Sequence, residues 1–169
     1  MTDKYVKKIL EANIYDLAIE TPISSAPILS ERLNNQVLLK REDLQPVFSF
    51  KLRGAYNKLL QLTEAQLAKG VITASAGNHA QGLALAAKNM GVKATIVMPT
   101  TTPTIKIDAV RNKNAKVILY GDSFDSSAEH ACEIVNKKGL IYIHPFDDED
   151  VIAGQGTIGM EIIRQHSGA

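Results

Sequence analysis

Two short stretches carry residue types that could do chemistry. The first is Phe48-Ser49-Phe50-Lys51-Leu52-Arg53-Gly54-Ala55-Tyr56. Ser49 reads as a helix N-cap, because Leu52, Ala55, Tyr56, Leu59 and Leu60 then recur at helical spacing and form one apolar face. Lys51 therefore falls in the first helical turn. There the positive end of the helix dipole disfavours an ammonium, and partial burial beside Phe48 and Phe50 acts in the same sense. Such a lysine is either a solvated surface residue or an amine kept partly neutral for nucleophilic or Schiff-base chemistry. The second stretch is Thr73-Ala74-Ser75-Ala76-Gly77-Asn78-His79-Ala80-Gln81-Gly82, which joins a strand end to a helix start in few residues. Free N–H groups at that helix start, with the side chains of Ser75 and Asn78 alongside, would cradle a small anion such as a carboxylate. Taken alone, the same residues also make sense as a tight turn at Gly77 and a helix cap at Asn78, with no ligand.

Other motifs are weaker. Gly154-Gln155-Gly156-Thr157-Ile158-Gly159 has the spacing of a dinucleotide fingerprint, but Pro145 to Asp150 reads as an acidic turn rather than a strand feeding into it. His79, His130, His144 and His166 show no metal-ligand spacing, so each reads as a surface or structural histidine. The run Asp147-Asp148-Glu149-Asp150 reads as a solvated turn that could at most carry a cation. The single cysteine, Cys132, excludes an internal disulfide framework and is expected in the core of its helix.

The elements that must position these residues follow from periodicity and turn signals. Residues 3 to 18 read as one packing helix ended by Thr21-Pro22, and Val37 to Lys40 as a short strand leading through a loop into the Lys51 helix. From Gly70 the chain alternates. Strands are expected at Val71 to Thr73, Ala94 to Met98, Lys116 to Tyr120 and Leu140 to Ile143. Helices are expected at Asn78 to Met90, Pro103 to Arg111, Ser123 to Lys138 and Thr157 to Arg164, with Gly91 and Gly139 as C-terminal stops. Such alternation predicts an α/β fold with a parallel, doubly wound sheet. The last helix lacks a following strand, and a fragment with an incomplete second lobe is expected.

Composition bounds the partners. A net charge of +1 with 22% charged residues gives no bulk attraction to nucleic acid or an acidic membrane surface. The amino terminus lacks a signal-peptide core, and no apolar run approaches the ~20 residues that span a bilayer. A cytoplasmic protein is expected.

Taken together, SFKLRGAY around Lys51, SAGNHAQG from Ser75 and PFDDEDVIAGQGT from Pro145 resemble the pyridoxal-phosphate-dependent dehydratases of the tryptophan-synthase-β fold type, and among them the threonine dehydratases. Three motifs in the right order run over nearly the whole chain. Leu39 to Tyr56 resembles the biosynthetic, isoleucine-pathway branch.

The resemblance implies roles. Lys51 would hold pyridoxal 5'-phosphate covalently and, once freed by the substrate amine, remove the α-proton. Phe50 would pack near the pyridine ring, and Asn78 would hydrogen-bond the phenolic oxygen. Ser75, Gly77, Asn78 and His79 would cradle the carboxylate of an amino-acid substrate, which agrees with the electrostatics of a helix start. Residues 1–69 and 148–169 would belong to a large cofactor-binding domain, and residues 70–147 to a small α/β domain. The family's glycine-rich phosphate loop and the group facing the pyridine nitrogen are expected beyond residue 169, so the chain is expected to act poorly alone and to need a homo-oligomer or a complementary C-terminal chain. Ala76 separates this loop from that of serine racemases, which carry a serine there. A racemase, a β-replacement enzyme and a non-catalytic remnant remain the competing readings.

Overall fold

The computed structural model describes residues 2–166. The chain opens with helix α1 (Thr2–Leu10), strand β1 (Ile23–Ser25), helix α2 (Pro27–Leu33) and strand β2 (Leu38–Lys40), and β1 and β2 pair antiparallel. A single 3-10 turn at Glu42–Leu44 then leads into α3 (Lys51–Leu60) and α4 (Glu64–Lys69). The alternating part follows as β3 (Val71–Ala74), α5 (Asn78–Asn89), β4 (Ala94–Met98), α6 (Thr104–Arg111), β5 (Lys116–Leu119), α7 (Phe124–Lys138) and β6 (Ile141–Tyr142). The last element is the long helix α8 (Glu149–Gln165).

Strands β3 to β6 form one parallel sheet in the order β5-β4-β3-β6. Successive side chains of a strand point to opposite faces, and both faces here are covered. Val71, Ile96 and Met98 pack into a core with Ala80, Leu83, Ala84 and Ala87 of α5 and Ile107 and Val110 of α6. Ile72, Ala74 and Val97 pack on the other side with Ala131 and Ile134 of α7. This is the doubly wound sheet that the alternation predicts.

Several expected elements change. Helix α1 stops at Leu10. Residues 11–14 alternate exposed and buried, which is the signature of extended chain, and Ile14 enters the core completely buried. The Ile14 carbonyl then accepts from the N–H groups of Leu17 and Ala18, so the second half of the expected helix is only a turn. Helix α8 starts at Glu149 rather than Thr157. Asp148 caps it, accepting from the N–H groups of Asp150 (2.9 Å) and Val151 (3.1 Å). The acidic run is thus no solvated turn: Glu149 pairs with Lys4, and Asp150 with Lys8 and Lys58. Gly154 to Gly159 lie inside α8, which removes the glycine-rich loop a nucleotide would need. Cys132 is exposed, not in the core. Ser127, Ala131 and Ile134 define the inward face of α7, and Cys132 is rotated one residue off it. Strand β1 and helices α2 and α4 were not expected at all.

Helix α3 lies between α5 and α8, and glycines set both contacts. A methyl group on Gly82 of α5 would lie 3.0 Å from the carbonyl carbon of Lys51 and from the nitrogen of Leu52. One on Gly154 of α8 would lie 2.5 Å from the Arg53 carbonyl oxygen and 2.7 Å from Gly54 Cα. Enclosure on both sides explains why Arg53, Gly54 and Asn57 of α3 are buried as well as its expected apolar face, while Leu60 at the end is 37% exposed. Gly154→Ala must push α3 and α8 apart and should lower stability to urea by about 1–3 kcal/mol. Gly159→Ala, where an added methyl meets nothing within 4 Å, should instead be neutral or raise stability by up to ~1 kcal/mol through helix propensity.

Candidate active site

The position of Lys51 depends on the residue two places after it. Arg53 is fully buried. Its Nη1 donates to Glu161 (2.5 Å) and Thr157 (3.0 Å), its Nη2 to Glu42 (2.7 Å) and the Ile19 carbonyl (3.0 Å), and its Nε to Glu42 (2.8 Å). Glu161 is buried too, and also accepts from Lys40 (2.6 Å) and the Tyr15 hydroxyl (2.8 Å). Burial pushes the Glu161 carboxyl up, but the bonds from Arg53, Lys40 and Tyr15 outweigh it and hold the group below the ordinary carboxylate range. Two cations and two carboxylates therefore balance around Arg53, tying α3 to α8, β2 and the 3-10 turn.

Lys51 is the first residue of α3. Ser49 acts one residue off its expected role: Phe50 occupies the cap position with helical backbone angles, and the Ser49 hydroxyl accepts the Lys51 N–H at 3.3 Å. Just before the helix, Phe48 turns the chain with φ +57. The Lys51 ammonium is half-buried, donates to the Pro145 carbonyl at 2.7 Å and lies 5.5 Å from the centre of the Phe50 ring. Burial lowers its pKa from the ordinary lysine value. Phe50 remains 40% exposed, leaving an aromatic face beside the amine.

The Pro145 carbonyl is presented by a turn that His144 builds. His144 Nδ1 accepts from the N–H groups of Phe146 (3.3 Å) and Asp147 (2.7 Å), and its ring meets that of Phe146 edge-on at 4.6 Å. Sequence reasoning missed Pro145 because a backbone carbonyl leaves no side-chain signature. His144, read only as a surface or structural histidine, holds that turn together.

The second stretch stands where β3 ends. The sheet order reverses between β3 and β6, and the crevice beyond strand carboxyl ends at such a switch is where α/β sheets bind ligands. Ser75 to Asn78 leave β3 on one side of it, and Ile143 to Pro145 leave β6 on the other. His79 bridges them, its Nε2 lying 3.3 Å from the Ile143 carbonyl. Since a carbonyl only accepts, Nε2 carries the proton and Nδ1 is a bare acceptor. Among the described residues that buried Nδ1 has no partner. Burial, opposed by the bond to Ile143 and reinforced by the charges of Lys51 and His144, lowers the His79 pKa to about 4.

Gly77 occupies the cap position of α5, and no side chain caps that helix. The Ser75 hydroxyl accepts the Gly77 N–H at 3.2 Å. A methyl on Gly77 would meet nothing within 4 Å, so open space lies beside the uncapped start. Asn78 is exposed and sits one helical turn before Gly82, on the same face, where α5 touches Lys51. The structure thus gathers Phe50, Lys51, Ser75, Gly77, Asn78 and His79 at one end of the sheet. His130, which pairs with Glu133 and stacks on Tyr120, and His166, at the end of α8, stand apart. Among the described residues no cluster of His, Cys, Asp or Glu could hold a metal ion.

A half-buried lysine thus stands beside an aromatic ring and an uncapped helix start, at the switch point of a doubly wound sheet. Residues 14–169 match the family model described as pyridoxal-phosphate dependent enzyme, and the chain belongs to that family. It is 59% identical over 167 residues to the biosynthetic L-threonine dehydratase of Burkholderia multivorans, covering 97% of this chain and 33% of that protein. With the chloroplastic biosynthetic threonine dehydratase of Arabidopsis thaliana the identity is 58%, over 98% of this chain and 28% of the relative. The chain therefore spans about a third of the length of the curated relatives it matches. Among solved structures, the processed form of threonine deaminase isoform 2 from Solanum lycopersicum superposes with a TM-score of 0.91 at 59% identity, over 96% of this chain and 45% of that one. Maize serine racemase superposes equally well, at 0.92, but is 33% identical over 96% of this chain and 50% of its own.

Two outcomes are expected from the titrating groups. In competitive acetylation across a pH series, Lys51 should reach half-maximal reactivity at lower pH than an ordinary lysine, because burial favours its neutral amine. His79 should titrate near pH 4 by NMR. Between that value and the ordinary histidine value the unfolded chain binds the extra proton, so stability should fall as pH falls through the window, by up to about 3 kcal/mol. His79→Gln should flatten that part of the profile in urea denaturation.

Proposed function

We propose that this chain carries the lysine and the substrate loop of a threonine dehydratase, which converts L-threonine to 2-oxobutanoate and ammonia at the entry to isoleucine biosynthesis. The observation that carries this reading is the meeting of Lys51 with the uncapped start of α5 at the sheet's switch point. The 59% identity to biosynthetic threonine dehydratase supports the choice of substrate. Maize serine racemase has the same fold at 33% identity, so fold alone does not separate the two reactions. Ala76 does favour dehydration, because a methyl group cannot deliver a proton to the opposite face of the α-carbon.

The residues fit pyridoxal phosphate. The Lys51 amine is half-buried and biased toward its neutral form, an exposed aromatic face stands 5.5 Å away, and open space borders Gly77. Lys51 would hold the cofactor, Phe50 would pack against it and Asn78 would donate to its phenolic oxygen. When bound, the cofactor supplies an electron sink for the charge that develops on the α-carbon. The uncapped N–H groups of α5, with Ser75, Gly77, Asn78 and His79, orient the substrate carboxylate. Once released by the incoming substrate amine, Lys51 Nζ would take the α-proton and pass it to the β-hydroxyl, whose bond to the β-carbon breaks so that it leaves as water. His79 stays neutral during this, so it adds no charge that would disfavour an ammonium on Lys51.

Residues 1–69 and 148–169 are assigned to a large cofactor-binding domain and residues 70–147 to a small one. The packing of α8 on α3 and α1 supports joining residues 148–169 to the first part, while α3 also packs on α5 of the small domain. No helix among the described residues is long and apolar enough to cross a membrane, and a cytoplasmic location and assembly with further copies, or with a complementary chain, complete the proposal.

Adding pyridoxal phosphate to the purified chain, trapping with borohydride and mapping by mass spectrometry tests this reading. The adduct should concentrate on Lys51, and the accompanying visible absorption band should vanish in Lys51→Ala. Adduct spread evenly over exposed lysines would favour a non-catalytic role and sink the proposal.

A further inference from the structure

At the opposite end of the sheet from the candidate site lies a cavity of about 310 Å³. Its rim carries Lys69, Lys93, Lys116 and Lys138, and no acidic residue lines it. The placement is systematic: each of the four parallel strands is entered through one of these lysines, at the end of α4, just before β4, at the start of β5 and at the end of α7.

Lys69 and Lys138 have an ordinary explanation, because a cation at a helix C-terminus is stabilised by the dipole. Lys93 sits in a loop and Lys116 in a strand, so the dipole accounts for neither. Among the described residues none of the four is paired with a carboxylate, a state they share with Lys88, Lys106, Lys113 and Lys137; what sets the four apart is that they surround one hollow. Four like charges around one hollow repel one another unless an anion joins them.

The backbone around the hollow is held in place. Gly70, with φ +87, packs against the Lys93 carbonyl oxygen, where an added methyl would lie at 2.9 Å. The Val71 N–H donates to the Lys93 carbonyl at 2.9 Å and the Ile141 N–H to the Gly70 carbonyl at 3.0 Å. These bonds tie the entries of β3, β4 and β6 together, so the lysines on them project from fixed points. Ile118, Ile134 and Leu140 give the cavity an apolar floor, which lowers the local dielectric, while Thr95 and Asn114 offer polar contacts.

We propose that this cavity binds a compact polyvalent anion of the polyphosphate class, at a site separate from the candidate active site. Single carboxylates or chloride engage too few of the lysines to bind well. Phosphate groups in a chain reach several at once, each through charge-assisted hydrogen bonds.

Isothermal titration calorimetry of the 169-residue chain with tripolyphosphate tests the proposal. One saturable equivalent is expected, with an affinity that falls as sodium chloride is raised. K93E/K116E should weaken binding at least about tenfold, and the neutral pair K93Q/K116Q by less, in that order. K7E/K106E makes the same change in net charge on exposed lysines elsewhere and should bind within about twofold of the parent. Circular dichroism checks that each variant stays folded, and the neutral pair keeps the test open if charge reversal does not. Lack of saturable binding, or equal weakening in the rim and control variants, overturns the proposal.

Discussion

A fully buried guanidinium dominates the arrangement of this protein. Removing Arg53 from water is costly, and the cost is offset only because Glu42 and Glu161 meet it directly while Lys40 and Tyr15 complete the shell of Glu161. The partners come from α8, the 3-10 turn and β2, which are far apart in the chain. They cannot satisfy Arg53 unless all are docked, so the network makes the position of α3 conditional on the whole assembly around it. Lys51 begins that helix and inherits the constraint.

Charge is also distributed unevenly between the sheet's two ends. At the carboxyl ends of the strands, burial biases Lys51 and His79 toward their neutral forms, and an uncapped helix start provides partial positive charge without a counter-ion. By contrast, the start of α8 is closed off by its own cap and its neighbours' lysines. Among these two helix starts, only that of α5 is left for an external anion.

The alternating half of the fold was legible because each strand is short, apolar and bounded by turn residues. Ala94 to Met98 was read without error. The first third was harder. Ile14, Leu17 and Ala18 mimic helical spacing while sitting on an extended segment and a turn, and α2 buries none of its residues, so no inward apolar stripe marks it. Glycines of α8 looked like a loop because the sequence does not reveal that Gly154 is needed for contact with α3. For the site, no single stretch was decisive: Lys51 and the Ser75 to His79 loop each allow a reading without a ligand when taken alone, and only the three motifs in order point to the chemistry. What holds them was not legible: the Pro145 carbonyl and the bond from His79 to Ile143 are backbone partners across long sequence separations.

The glycine contacts have a mechanical consequence. Where two helices meet through side chains, rotamers can absorb a small displacement. At Gly82 the main chain of α5 rests directly on the main chain of Lys51, and at Gly154 that of α8 rests on Arg53 and Gly54. Spacing there is set by the van der Waals radii of main-chain atoms, with no side-chain layer between. The nucleophile and the loop facing it therefore share one stiff frame, and thermal motion that shifts one carries the other with it.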